Sequence, residues 1–527
     1  MRELRLEELT TEQKLGMVTI AYIRSDKPEE VDYVIERVKN HSVGAVWVQF
    51  EYDTDGETIK KIKEAADYPI LIMSDAEAGI GDYMIGRHNA ISCTGSTHLA
   101  YVFGKAIAVT ARNAGYNVIC NPVLDLISGN AVCGMTTRSL GGDKEKVTEY
   151  AMAIARGMHD GGVLTVGKHY PGATPEEAIL DTHMAETASD MTREELLEYN
   201  LYPYIKLNEA GLLDGIMTKH SRYAKIDPIY PASLSRKLID IIRETGFDGI
   251  SLTDALTMHG VTSKFGKDTC IPLAVGNGND LALAFNPDNR FAFDAMEEGY
   301  KKGLISDERL DEAVRRVLEA QHKTLAEPKY TSLTEEDISD FRRLDTDGIA
   351  LVADEGISPT LSPEGKHFFV IITERSIDAT STDKLALDTF THFWHNPLKI
   401  SEKIKEMFPN SDVDFLPHFP SISNNMTIMS RQYGYDDVVF VTFFYGRPCM
   451  GHEELTARVR TVFDSLQVTN RISAVIHYGN PFVLEDLPHI PRVITAPGSF
   501  NATLAAIEVL AGTREAKGVI PYEVKLK

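Results

Sequence analysis

VLTVGKHYPGATPEEAILDTHMAE, Val163 to Glu186, begins as one kind of chain and ends as another. The first residues form a largely apolar run, Lys168 and His169 close it, and a Pro-Gly turn then opens a loop that ends in Asp181, Thr182, His183. A near-continuous apolar run suits a strand covered on both faces, as in a parallel sheet. The same design recurs on either side in VGAVWVQF from Val43, PILIMSD from Pro69, NVICNPVLDL from Asn117, LLDGIMTKH from Leu212, DGISLTDAL from Asp248 and DLALAFN from Asp280. Helical stretches alternate with these runs. In Thr192–Gly211, Thr192 and Glu195 read as a capping box and Gly211 as the stop; Ile305–Lys323 carries apolar residues at helical spacing. Seven or eight such units predict a (β/α)8 barrel of the TIM type over residues 1–324 rather than an open sheet.

Between 325 and 345 the chain turns polar and loses the strand pattern, as a linker does. New runs follow in HFFVIITE from His367, DVVFVTFFYG from Asp437, ISAVIHYG from Ile472 and RVITAPG from Arg492, with a last helix expected at Asn501–Leu510. Residues 346–527 therefore read as a smaller α/β/α sandwich domain, with packing or dimerisation as its default role. His477 and Asn480, in HYGNP at a strand end, read as a structural turn.

Composition narrows the function classes. Lys and Arg total 54 against 77 Asp and Glu, a formal charge of −23 over 527 residues, which disfavours nucleic acid and anionic lipid as partners. No window approaches the apolar length of a membrane span, and MRELRLEELTTEQKLGM lacks the apolar core of a secretory signal. The five cysteines are scattered and odd in number, which fits reduced thiols, a cytoplasmic location and no Cys-based zinc site. No P-loop, strand-following GxGxxG or HExxH is present, so neither a metal nor an organic cofactor is expected.

The polar residues fall in a pattern relative to the runs. Asp75 and Glu77 follow PILIM, Asn121 and Asp125 end NVICNPVLDL, Lys168 and His169 end VLTVG, Lys219 and His220 end GIMT, and Asp254 ends GISLT. In a parallel barrel all those ends open on one face, where active sites are built. A lone carboxylate such as Asp125 reads equally as a helix cap, and Lys168 as one half of a structural ion pair. Capping does not, however, call for Lys-His pairs.

The ordered set LTTEQKLGMV, SDAEAG, NPVLDL, TRSLGGD, KHYPG, IMTKH, GFDGISLTDALTM and AVGNGNDLAL resembles glycoside hydrolase family three, in particular its β-N-acetylglucosaminidase branch; the C-terminal IEVLAGTREAKGVIPYEV extends the likeness. The resemblance implies a retaining exo-acting enzyme with Asp254 as nucleophile. It implies that Asp75, Arg138, Lys168 and His169 hold the hydroxyls of the sugar being cleaved, that Met217 and His220 flank it, and that Asp181 and His183 form the acid/base pair. Two departures stand out: Gly172-Ala173-Thr174 replaces the branch's Gly-His-Gly, and Asp75-Ala76-Glu77-Ala78-Gly79-Ile80 its Asp-x-Glu-Gly-Gly-Arg.

The chemistry is consistent with these types. Retaining hydrolysis needs an ionised carboxylate below the anomeric carbon and a group that gives and later takes a proton. Imidazole, with a reference pKa of about 6.5, does the second with little tuning. Cations such as Lys168 and Arg138 are expected to keep Asp254 ionised. Residues i and i+2 of an extended loop share a side, so Asp181 is expected to reach one nitrogen of His183. Pro171-Gly172 and Pro175 suggest a loop that closes on bound sugar. The expected partner is a small glycan or cell-wall sugar fragment. The alternatives are a phosphorylase using phosphate at the same site, a β-glucosidase, and a sugar-binding barrel without catalysis.

Overall fold

The computed structural model describes residues 2–50, 53, 55–131, 134–174, 180–354, 361–373, 396–446, 449, 451 and 454–527. The chain divides into two compact units, one of Met1–Met84, Ala100–Leu126 and Asp143–Ile338, the other of Ile85–Leu99, Ile127–Gly142 and Ser339–Lys527.

The first unit contains twelve short strands among its described residues. They are β1 (Thr19–Ile23), β2 (Ala45–Val48), β3 (Leu71–Ser74), β4 (Gly79–Ile80), β5 (Tyr83–Met84), β6 (Val118–Ile119), β7 (Leu164–Tyr170), β8 (Thr187–Ser189), β9 (Gly215–Thr218), β10 (Ser221–Tyr223), β11 (Ile250–Thr253) and β12 (Ala282–Leu283). Eight of them form one parallel sheet in the order β11-β9-β7-β6-β3-β2-β1-β12, and a parallel bridge between Leu252 and Leu281 brings its two edges together. This is the (β/α)8 barrel. Seven of its strands lie in the runs read from the sequence. The eighth, β1, escaped because its five residues follow the helix Thr11–Met17 with only Val18 between.

The barrel interior is packed, not hollow. Alternate residues of each strand, including Ile20, Ala45, Trp47, Leu71, Met73, Val166 and Leu252, share one buried cluster, as a two-residue side-chain period requires. The helix read over Thr192–Gly211 has the expected Thr192–Glu195 capping box but takes a π-helical turn at Leu196–Asn200 before resuming over Tyr202–Glu209.

The second unit is a six-stranded sheet in the order β13-β18-β17-β16-β14-β15, with β13 (Ala350–Asp354), β14 (His367–Thr373), β15 (Asp412–Pro417), β16 (Asp437–Phe444), β17 (Ile472–Gly479) and β18 (Arg492–Ala496). Only β13 runs antiparallel to its neighbour. One face packs Phe369, Val441 and Ile476 against helices Pro397–Met407 and Phe500–Leu510; the other packs Phe368, Phe440 and Val475 against Ile422–Arg431 and Ala457–Gln467. The result is the α/β/α sandwich.

The division into units is not the contiguous one expected. Ile85–Leu99 and Ile127–Gly142, included in the barrel domain read from the sequence, group with the C-terminal unit. The reason is contact between segments distant in sequence. The Tyr522 hydroxyl donates to the carbonyls of Thr136 and Ser139, and a Cβ on Gly86 would overlap the Gly498 carbonyl. The stretch read as a linker contains most of a helix, Glu335–Thr346, opened by reciprocal bonds between Thr334 and Asp337.

Candidate active site

The two-residue period that fills the barrel carries on past the strand ends. Leu71 and Met73 lead to Asp75, Leu164 and Val166 to Lys168, and Ile250 and Leu252 to Asp254. The same alternation that buries apolar residues lower down thus delivers charged ones to the barrel mouth.

Lys168 is 1% exposed, and its ammonium lies 2.6 Å from Asp75 Oδ1 and 3.0 Å from Glu77 Oε2. Burying that charge is tolerable because two carboxylates meet it. Asp75 keeps 52% of its side chain open and so remains available to a ligand. Glu77 stood in the strand-end pattern but was given no role at the site; its signal was the Asp-x-Glu spacing, which puts both carboxylates within reach of one cation.

Asp125 is not a helix cap. Its Oδ2 accepts both the backbone N–H of His169, at 3.0 Å, and the ring Nδ1–H, at 2.7 Å, while the carboxylate is wholly buried. Burial alone would raise its pKa, but the His169 imidazole and the Lys219 ammonium outweigh it and hold the carboxyl below its ordinary range. Lys219 in turn donates to the Gly172 carbonyl at 3.2 Å, and Tyr223 to the same oxygen at 2.9 Å. Gly172 adopts φ +108°, and a Cβ there would stand 2.9 Å from the Asn200 amide nitrogen. The departure at 172–174 therefore keeps the glycine that the turn after β7 requires.

Asp254 extends β11, its N–H bonded to the Thr218 carbonyl, and its Oδ1 accepts the Ala255 N–H at 2.7 Å. It retains partial exposure. Burial pushes its pKa upward, yet His169 and His220, the Ala255 N–H and His183 together bring it down to about 2. The leading neighbours of Asp254 are thus imidazoles rather than Lys168 and Arg138. Lys168 is already engaged by two acids, and Arg138 belongs to the second unit, where its guanidinium lies 3.1 Å from Met135 Sδ and its carbonyl contacts His88.

His220 does not face outward as a ligand-binding group would. It is fully buried, its Nε2–H donates to the Ala255 carbonyl at 3.0 Å, and Nδ1 lies 2.8 Å from Ser233 Oγ. Burial lowers its pKa, and the ring, donating from Nε2, braces the turn that follows Asp254. Met217 is likewise buried, in the apolar layer of the barrel.

Asp181 and His183 are joined, but not by an extended loop. Asp181 Oδ1 accepts the backbone N–H of His183 at 2.7 Å and lies 2.9 Å from ring Nδ1, while the Asp181 carbonyl accepts from Met184 and Ala185. This is an Asx-type turn, in which a carboxylate caps its own loop. Asp181 is buried and His183 is 31% exposed. The loop is tied to the segment after β11, with His259 N–H bonded to the His183 carbonyl at 3.2 Å and Gly260 N–H to that of Thr182 at 2.9 Å. Its return leg enters the parallel ribbon of β8 and β10, clamped by Arg222 on Glu186 at 2.6 Å. Pro175, read as a hinge, lies outside the described residues.

In the second unit His477 is buried between Thr442 Oγ1 and the Asn480 carbonyl, and burial lowers its pKa to about 4; Asn480 caps the helical turn Pro481–Asp486. Among the described residues no helix is long and apolar enough to cross a membrane.

Comparison with known proteins bears on the family and the fold. The model of the glycosyl hydrolase family 3 N-terminal domain matches residues 10–320. A β-hexosaminidase of Tolumonas auensis is 34% identical over 251 residues, 46% of this chain and 73% of that protein. A β-N-acetylglucosaminidase/β-glucosidase of Cellulomonas fimi is 27% identical over 332 residues, 59% of this chain but only 57% of its own length. The structure of a family 3 β-N-acetylglucosaminidase from Paenibacillus sp. strain FPU-7 superposes with a TM-score of 0.79, covering 98% of this chain and 100% of that one; at 23% identity it speaks for the fold alone.

Proposed function

The chain belongs to glycosyl hydrolase family 3, and from that premise we propose that it is a retaining exo-β-N-acetylglucosaminidase acting on terminal β-linked N-acetylhexosamine. The observation that carries the reading is the pairing at one end of the barrel. A carboxylate held ionised at about pKa 2, Asp254, stands on β11, and the Asp181–His183 turn is hydrogen-bonded to the residues that follow that strand. A sugar-binding module has no use for a nucleophile and a proton donor together.

In the first step Asp254 attacks the anomeric carbon as the bond to the leaving oxygen breaks, and His183 gives that oxygen a proton from Nε2. Asp181, accepting Nδ1–H, fixes the tautomer and stabilises the charged ring. In the second step His183 takes a proton from water, which attacks the anomeric carbon and releases Asp254 with net retention. Asp75, Lys168 and His169 hold the hydroxyls of the cleaved sugar, with Glu77 and Asp125 holding Lys168 and His169.

The substrate is a small glycan or cell-wall fragment. A second reading rests on the acid/base group being an imidazole: it sets no carboxylate directly beside an incoming phosphate, which would make the protein a glycoside phosphorylase. The C. fimi relative, named for both activities, keeps β-glucosides in view as substrates. Aryl β-N-acetylglucosaminide and aryl β-glucoside, each assayed with and without phosphate, separate these outcomes. Hydrolysis of the first, unaffected by phosphate and absent in Asp254→Asn, is the expected result. Accumulation of sugar 1-phosphate would convert the assignment to phosphorylase, and turnover that survives Asp254→Asn would end it.

A further inference from the structure

Phe285 lies two residues beyond the last residue of β12 and stands in the left-handed region at φ +49°. A bulky aromatic residue pays for that conformation, and such strain persists only where the surroundings fix it. They do so on both sides. Leu283 donates its N–H to Thr253 Oγ1 at 3.0 Å and accepts the Leu256 N–H at 2.9 Å. Asn289, just past Phe285, brackets the Tyr22 backbone, accepting its N–H at 2.9 Å and donating to its carbonyl at 3.0 Å.

What the conformation achieves is the placement of a ring. The Phe285 centroid lies 4.5 Å from that of Tyr22 with the planes 30° apart, and 6.4 Å from that of Trp47 with the planes 76° apart. The Tyr22 hydroxyl is itself fixed by Gln49 Oε1 at 2.8 Å. Tyr22, level with Phe285 by the register of β1 on β12, and Trp47, paired with Tyr22, are buried beside it, whereas Phe285 remains partly open. Its height follows from register. Leu281 is bridged to Leu252, so Leu283 is level with Asp254, and Phe285 stands one two-residue step nearer the barrel mouth on the neighbouring strand. At strand rise that step is about 7 Å.

We infer that Phe285, backed by Tyr22 and Trp47, is a stacking platform for the leaving group: the apolar face of an aryl ring or of the pyranose that follows the scissile bond. The inference rests on reading Asp254 as the nucleophile. The sugar being cleaved sits on Asp254, and the group that departs points away from the packed barrel floor, toward the height of this ring. An aromatic face against an aryl or C–H-bearing sugar face is a favourable offset-stacked contact.

The test uses the full-length protein with an aryl β-N-acetylglucosaminide as substrate and free N-acetylglucosamine, which fills only the cleaved-sugar position, as competitive inhibitor. Phe285→Ala is expected to raise KM for the aryl glycoside about tenfold, Phe285→Trp to restore it, and the inhibition constant of the monosaccharide to stay constant throughout. Phe285→Asn, which tolerates left-handed backbone, should lose affinity as the alanine variant does while melting no lower than the parent, separating the ring from the strain. An unchanged KM in Phe285→Ala, or equal weakening of substrate and monosaccharide, would overturn the platform. A parent enzyme that cleaves no aryl β-glycoside would overturn the site reading itself, a result distinct from a working enzyme indifferent to Phe285.

Discussion

Gly260→Ala is a probe of the acid/base loop that substitutes none of the reacting groups. A Cβ on Gly260 would stand 2.6 Å from the Thr182 carbonyl oxygen and 3.0 Å from that of Ala185. Ordinary contact begins near 3.4 Å, so the Asp181–Ala185 turn must retreat by about 0.8 Å or the helix His259–Phe265 must yield. The Gly260 N–H to Thr182 bond, which ties the two segments, would lengthen with it. His183, one residue on, moves away from the leaving oxygen, and misplacement on this scale costs about 10- to 100-fold in rate where geometry controls catalysis. The loss should depend on the leaving group. Poor leaving groups need the proton and should lose the full factor in kcat, whereas a dinitrophenyl glycoside, which departs without help, should react nearly as the parent does. Overpacking should also cost about 1–3 kcal/mol of stability, measurable by urea unfolding. Equal rates on poor leaving groups, or equal losses on both classes, would refute the role given to this loop.

Other outcomes follow from named residues. Asp254 is held at about pKa 2, below the unfolded carboxyl's 3.8, so its ionised form and the stability it brings are present above the unfolded value and lost as pH falls through about 2. The pH profile of kcat/KM should therefore show no nucleophile limb between pH 4 and 6, and a limb there that vanishes in an Asp254 variant would contradict the assignment. Asp181→Asn should lower kcat by about 10²-fold or more while leaving the far-UV circular dichroism unchanged; a parent-like kcat would remove Asp181 from the mechanism. Asp280→Ala, at the opposite end of β12, removes the carboxylate shared by Arg243 and the buried Arg309 and Arg316, all within 3.3 Å of it. It should cost about 3–5 kcal/mol in urea unfolding yet spare kcat in the protein that remains folded.

How much of this was legible in the sequence depended on where each residue's partners lie. Barrel strands were visible because burial on both faces demands apolar runs, and only β1, crowded against a helix, was lost. The edge strand β15 was missed for the opposite reason: it alternates Asp412, Val413, Asp414 and Phe415 with one side open, so its run is broken by charge. At the site, Asp75, Lys168 and Asp254 were readable because strand alternation continues into the mouth. Asp125 was not, since its partner His169 lies 44 residues away and a lone strand-end carboxylate looks like a cap. The Asp181–His183 contact was foreseen but its cause was not, because an Asx turn and an extended loop place the same two residues together. Grouping of Ile127–Gly142 with the C-terminal unit depends on Tyr522, 383 residues from Ser139, and no local pattern announces it.

The most direct test is to find the covalent sugar. Incubation with a fluorine-substituted N-acetylglucosaminide bearing an activated leaving group, which forms the glycosyl-enzyme faster than water can cleave it, should raise the mass of the intact protein by one glycosyl residue. Peptide mapping should place that mass on the Ile250–Leu256 segment at Asp254. A mass left unchanged while the compound is consumed, or a label on any other carboxylate, would contradict the account.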